Sequence, residues 1–335
     1  MKRFGILGFG HHAAKRMVPG FAGARNSELV GLWRRNLPKA SADAREFGIE
    51  RVFATPEALC ASPEIDAVFI ASPDSLHLHD GLLALHHGKP VLCEKPLAMN
   101  AGEVEQLLQA ARRAGVRFGV AQNMRYETSL RLVRQWILEG RIGRPLLAHS
   151  QFCYSAEKSP REWIYDPAMA LGGPIGDVGI HCIDALRFAL SSDVESLVTV
   201  ARQDDGSGEV ESFGIFSVIF SSGALGSASV TTRGAYRSLI EVTGEAGVIR
   251  CEDGMTVDHD VTVELIRDGR VIDSRQVSNA DCYSLMLDSF SGWIEGADSF
   301  LAPIEDGLHN QHIMDAAYRS WRTGVRQLIP PPSIR

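Results

Sequence analysis

Short, mostly apolar runs alternate with helix-length amphipathic stretches through the first 121 residues. The runs fall at 4–7, 29–32, 51–53, 67–71, 91–93 and 118–121. Between them lie 13–24, 38–47, 56–61, 76–87 and 101–114, each with helical periodicity. Strand, helix, strand at this rhythm predicts parallel βαβ units. Strands without a polar alternation suit a sheet covered on both faces. The N-terminal part is expected to be a doubly wound α/β domain.

Past residue 122 the rhythm changes. A helix is predicted over about 127–138, ending at Gly140, then a strand over 146–152 and a helix over 174–190. Between 195 and 277 come seven β-rich runs (196–202, 210–220, 225–231, 238–243, 248–251, 262–266 and 271–277), separated by turn residues. Hairpin cues such as Asp268-Gly269 make this sheet largely antiparallel. Helices over about 283–295 and 304–327 close the chain. The expected organisation is a doubly wound α/β domain over 1–122 and a second α/β domain, with a large sheet, over 123–335. An open sheet with an uncovered face also predicts a homodimer or homotetramer built through it.

Composition narrows the function classes. With 335 residues, 45% hydrophobic and 22% charged, the chain is long enough for two ordinary globular domains. A net charge of −7 supplies no basic surface for nucleic acid or an anionic membrane. No apolar run reaches membrane-spanning length, and the N-terminus shows no signal-peptide pattern. Six cysteines, no two closer than 29 positions, read as reduced core residues of a cytoplasmic protein. The histidine pairs His11-His12 and His86-His87 and the His77/His79 motif lack converging further ligands, so no metal is expected.

The first strand runs directly into Gly8-Phe9-Gly10-His11-His12-Ala13, which fits G-x-G-x-x-G/A at a strand-to-helix turn. Gly8 permits the tight turn, Gly10 lets backbone approach a pyrophosphate, and the helix start offers free N–H groups. The other reading is a tight turn without a ligand. Where an NAD-specific corner carries an acid, the second strand ends in Arg34 and Arg35, while Glu28 lies at its wrong end. Cations there suit a ribose 2′-phosphate, so NADP is the expected cofactor and NAD the alternative. Two solvated loop arginines would look the same.

Two further segments carry chemistry. Glu94-Lys95-Pro96 follows the fifth strand, at the sheet edge where ligands bind. Gly172-Gly173-Pro174 opens a helix on which Asp177, His181 and Asp184 share a stripe roughly 60° wide. On an otherwise apolar helix these groups either satisfy one another or line a cavity, where a histidine is a ready proton carrier. The segment before it, with Arg161, Trp163 and Tyr165, suits either the wall of a sugar pocket or a packed loop. His77, near the start of a crossover helix, belongs on the helix surface or at the cofactor edge.

Taken in order, Gly8 to Ala13, Glu94-Lys95-Pro96 and Gly172…Asp177…His181…Asp184 resemble the Gfo/Idh/MocA family (glucose–fructose oxidoreductase, inositol dehydrogenase and MocA-like proteins). The resemblance covers nearly the whole length, including Ser72-Pro73 and Asp306-Gly307. It implies a Rossmann domain, a C-terminal antiparallel sheet, and reversible NAD(P)-dependent oxidation of a hydroxyl on a sugar, polyol or related alicyclic compound. It places the catalytic lysine at Lys95 and the acid–histidine pair at Asp177 and His181; either His181 or Lys95 moves the proton. It further implies cofactor contacts at Phe9, Ser72, Pro73, His77, Glu94, Asn123 and Tyr283, and substrate contacts at Arg125 and Asp184. The basic corner is most similar to NADP-dependent anhydrofructose-reductase and dihydrodiol-dehydrogenase relatives. Pro174 and Asp74 depart from the family's usual Gly and Asn. Two rival classes remain: a hydrolase or lyase using bound NAD(P) for transient oxidation, and a non-catalytic dinucleotide sensor.

Overall fold

Six of the apolar runs become parallel strands in the computed structural model, which describes residues 1–157, 159–204, 209–297 and 299–332. They are β1 Lys2–Leu7, β2 Ser27–Trp33, β3 Arg51–Val52, β4 Ala67–Ile70, β5 Val91–Cys93 and β6 Phe118–Val120, ordered β3-β2-β1-β4-β5-β6. This is the Rossmann order, with the reversal between β1 and β4 opening a crevice at the carboxyl ends of those strands. The crossovers are α1 Val18–Gly23, α2 Leu37–Phe47, α3 Pro56–Ala61, α4 His77–His86 and α5 Ala101–Ala114. Asn36, Thr55 and Asn100 cap α2, α3 and α5, each accepting a backbone N–H three residues on. β1 and β4 to β6 are buried almost without interruption, as a sheet covered on both faces requires.

Two compact units divide the chain, Met1–Ala121 with Tyr283–Leu308, and Gln122–Cys282 with His309–Arg335. A single cut at 122 therefore misses one excursion. The helix α8 Cys282–Ile294 and the segment after it return to the first unit. There Phe290 packs on Phe4 and Phe300, and Pro303 bridges to Gly119. Periodicity marks an apolar helix face but not which core receives it.

The second unit is built on a sheet ordered β14-β13-β12-β11-β7-β10-β9-β8-β15 among the described residues. Its strands are β7 Pro145–Ser155, β8 Val194–Arg202, β9 Phe213–Phe220, β10 Leu225–Thr231, β11 Arg233–Gly244, β12 Gly247–Glu252, β13 Asp260–Arg267, β14 Arg270–Ser278 and β15 Gln327–Leu328. Each neighbouring pair in this order is antiparallel except β7 with β10. One core joins Phe216, Phe220, Ile240 and Ile249 of the sheet to α6 Thr128–Leu138, α7 Ile180–Leu190 and α9 Ile304–Thr323. The alternating burial of β9 leaves Phe213 and Ile215 on the other face. α9 ends at Thr323, short of the expected 327, because Gln327–Leu328 pairs with β8. A two-residue strand has no periodicity to read.

Candidate active site

The glycine loop of the first unit is shaped by what lies beneath it. Gly8 sits at φ +79°, and a Cβ there would come within 2.5 Å of the Ser72 backbone. Its N–H and that of Phe9 donate to the Trp33 carbonyl, tying the loop to the end of β2. Phe9 is buried against Phe47. At Gly10, by contrast, a Cβ would stand in nearly open space, meeting only the Gly8 carbonyl at 3.7 Å. Backbone bared in this way, at the start of a helix, is what the pyrophosphate of a dinucleotide needs, so these residues fit the group. The helix starts by turning with π geometry over Ala13–Met17, where an α-helix is predicted; such turns recur at functional sites.

Four expected cofactor residues gather beside this loop. His12 Nε2 and Glu94 Oε1 are 2.8 Å apart, and Glu94 Oε2 accepts the Lys95 N–H at 3.2 Å. Tyr283, from α8, brings its ring 6.1 Å from that of His12. Lys95, before a cis bond to Pro96, is half-buried at the end of β5. At the ribose corner Arg34 pairs with Asp43, and Arg35 is exposed. His11 is exposed at the helix start and Pro73 half-buried after β4.

Two residues expected at the cofactor also brace the frame of this unit. His77 is 1% exposed, with Nδ1 2.8 Å from the Pro96 carbonyl and Nε2 2.9 Å from the Ser72 carbonyl. The ring braces two loops, with both nitrogens facing main-chain carbonyls, and its burial takes it off the helix surface. Ser72 donates its hydroxyl to Asp80 at 2.7 Å, so its side chain is likewise committed to the frame.

In the second unit, the glycine pair before the candidate catalytic helix is a packing requirement. A Cβ on Gly172 would overlap the Tyr318 hydroxyl, and one on Gly173 the Glu211 carbonyl. Buried Glu211 then accepts the N–H groups of Gly173 and Ile175 at 3.0 and 2.8 Å. Tyr318 Oη accepts from the Gly176 N–H at 3.1 Å and donates to Glu211 at 2.9 Å. A carboxylate at the positive end of the helix is favourable for its dipole. Past Pro174 the helix turns with π geometry over Ile175–Gly179 before continuing as α7.

Asp177 Oδ2 accepts the Tyr154 hydroxyl at 2.5 Å and lies 3.6 Å from Arg161 Nη2. Arg161 also donates to Tyr154 Oη at 3.2 Å. His181, one turn on, is 8% exposed, its ring 6.4 Å from that of Phe152. Trp163 and Tyr165 are half-buried on a single turn, Glu162–Tyr165, and Tyr165 donates to the Ala156 carbonyl.

Asp184 and Arg125, both expected at the substrate, are bound to each other. Arg125 donates twice to Asp184, at 2.9 and 2.6 Å, and Asn310 donates at 2.7 Å. Both side chains are buried, 5% and 1% exposed. Burial alone would raise the Asp184 carboxyl, but Arg125, then Arg187 and Asn310, outweigh it and hold it below the usual range. Asn123 is buried, with its amide toward Cys282 Sγ at 3.7 Å. Tyr154, Glu211 and Tyr318 carry no motif. Tyr154 is visible in sequence only as a polar aromatic on a strand face, and the other two depend on partners more than 35 residues away.

Residues 2–122 match the model of the oxidoreductase family with an NAD-binding Rossmann fold, and 130–250 match the GFO/IDH/MocA C-terminal domain. The 1,5-anhydro-D-fructose reductase of Ensifer adhaerens is 32% identical over 92% of each chain. The D-xylose 1-dehydrogenase (NADP(+)) 2 of Haloferax volcanii is 26% identical over 96% of this chain and 98% of its own. In fold, the aldose-aldose oxidoreductase from Caulobacter crescentus superposes with a TM-score of 0.90 at 23% identity, over 98% and 99% of the two chains. The chain belongs to the Gfo/Idh/MocA family of oxidoreductases.

Proposed function

We propose that the protein is an NADP(H)-preferring oxidoreductase of sugars, polyols or related alicyclic compounds, interconverting a carbinol and a carbonyl. The observation that carries this reading is Lys95, held at the carboxyl edge of the parallel sheet beside the Glu94–His12 pair and the open backbone of Gly10. When bound, the nicotinamide supplies the hydride exchange. The N–H groups at the start of the first helix hold the pyrophosphate, and Arg34 and Arg35 receive the 2′-phosphate. Lys95 or His181 holds the substrate hydroxyl and moves its proton, while Asp177 orients and tunes His181. Cationic groups stabilise a developing alkoxide, so no metal is needed.

The substrate class is supported by the relatives named for 1,5-anhydro-D-fructose and D-xylose. Arg161, Trp163 and Tyr165 form the substrate wall in this reading. The six buried thiols suit a cytoplasmic location. Lys95→Met tests the central role. It should lower kcat by about 10²-fold or more while leaving cofactor affinity within a fewfold of wild type. Wild-type turnover in this variant would refute the assignment.

A further inference from the structure

We propose that Tyr154 is a positioning residue for the reaction, fixing the Asp177 carboxylate by holding its Oδ2. This rests on Asp177 and His181 acting as the acid–histidine pair. Tyr154 lies near the end of β7, on the strand face it shares with Phe152, whose rings pack 6.4 Å apart. Its hydroxyl donates to Asp177 Oδ2 at 2.5 Å and accepts from Arg161 Nη2 at 3.2 Å. Arg161, Tyr154 and Asp177 thus form a chain with a fixed donor direction. The guanidinium can only donate, the carboxylate can only accept, and the phenol between them does one of each.

Tyr154 acts in this arrangement as a donor, not as the proton carrier. Burial, then the neighbouring Asp177, pushes its phenol far above the ordinary range, against the opposing pull of Arg161; Tyr165 adds to the rise. A phenol so held stays protonated at neutral pH and serves as a donor. A carboxylate on a helix turns freely about two side-chain bonds. One short, charge-assisted bond from a half-buried ring stops that rotation without adding charge to the site. The effect is the locking of a reacting group by its neighbours, as precise catalytic geometry requires.

Tyr154→Phe keeps the ring and its packing on Phe152 and deletes only the hydroxyl. With the best substrate of the wild-type enzyme, kcat should fall about tenfold to a hundredfold, the scale of one hydrogen bond to a charged group. The KM for NADPH and the Tm should stay at wild-type values. In an Asp177→Asn background the same substitution should have little further effect, because its target is gone. An unchanged kcat in Tyr154→Phe, while Asp177→Asn is impaired, would overturn the proposal. So would a kcat loss that persists in full in the Asp177→Asn background, or that accompanies a lowered Tm. If Asp177→Asn itself turns over at the wild-type rate, the functional reading beneath the proposal fails instead.

Discussion

A single buried carboxyl carries an unusual cost in this protein. Glu127, just before α6, is fully buried, and neither of its carboxylate oxygens has a hydrogen-bond partner among the described residues. Burial alone lifts its carboxyl well above the usual range, and the nearby Cys251 thiol is pushed up to about 12 by burial and then by Glu127. A carboxyl whose pKa rises on folding favours the folded state most below its unfolded value, about 4.3, and that contribution is lost as pH rises through the folded value. Glu127→Gln should therefore match wild type in Tm near pH 4 and exceed it by a few degrees at pH 8. Equal melting curves at both values would mean the carboxyl finds a partner in solution. Asp184 runs the opposite way. Its lowered pKa contributes stability above about pH 4, lost as pH falls further.

At the scale of elements, the catalytic helix depends on a cap from outside its own sequence. Glu211 accepts two N–H groups of its first turn and the Tyr318 hydroxyl, all in a buried setting. Glu211→Gln turns one acceptor into a donor facing N–H groups and should cost about 2 kcal/mol, lowering Tm by roughly 4–8 °C. A calorimetric Tm within a degree of wild type would show that the helix start does not need the charge. The contrast with the sequence is instructive here. Gly172-Gly173-Pro174 announces a helix start from local chemistry, so the helix and its Asp177 and His181 were legible. Glu211 and Tyr318, which explain why both glycines are required, act across 36 to 142 residues and leave no local trace. For the same reason the stripe of Asp177, His181 and Asp184 does not show that Arg125 takes the Asp184 carboxylate. The setting of His77 is hidden likewise, since its two acceptors are backbone carbonyls that no residue type reveals.

At the scale of the whole molecule, the two sheets differ in how they meet water. The parallel sheet is covered by its helices, whereas the larger sheet leaves Leu147, Val200, Ile215 and Leu225 between 50% and 69% exposed on the face away from its core. Exposed apolar side chains on one sheet face suit an interaction surface, and a second copy of the chain is its proposed occupant. Light scattering should give at least a dimer's mass, and Ile215→Lys should shift it toward the monomer; a monomeric wild type would remove the assignment. The proposed cofactor preference is read at the end of β2. Arg34 is paired with Asp43, so a 2′-phosphate must compete for it, and Arg35 stands exposed beside it. NADPH would gain paired, charge-assisted bonds that NADH lacks, weakened by exposure and by salt. The most direct measurement is kcat/KM for NADPH and NADH across a panel of keto-sugars and polyols. The expected result is turnover with a sugar-type substrate and a preference for NADPH of about tenfold to a few hundredfold. Equal values for the two cofactors would contradict the role of the arginines, and no turnover with either would contradict the enzyme itself.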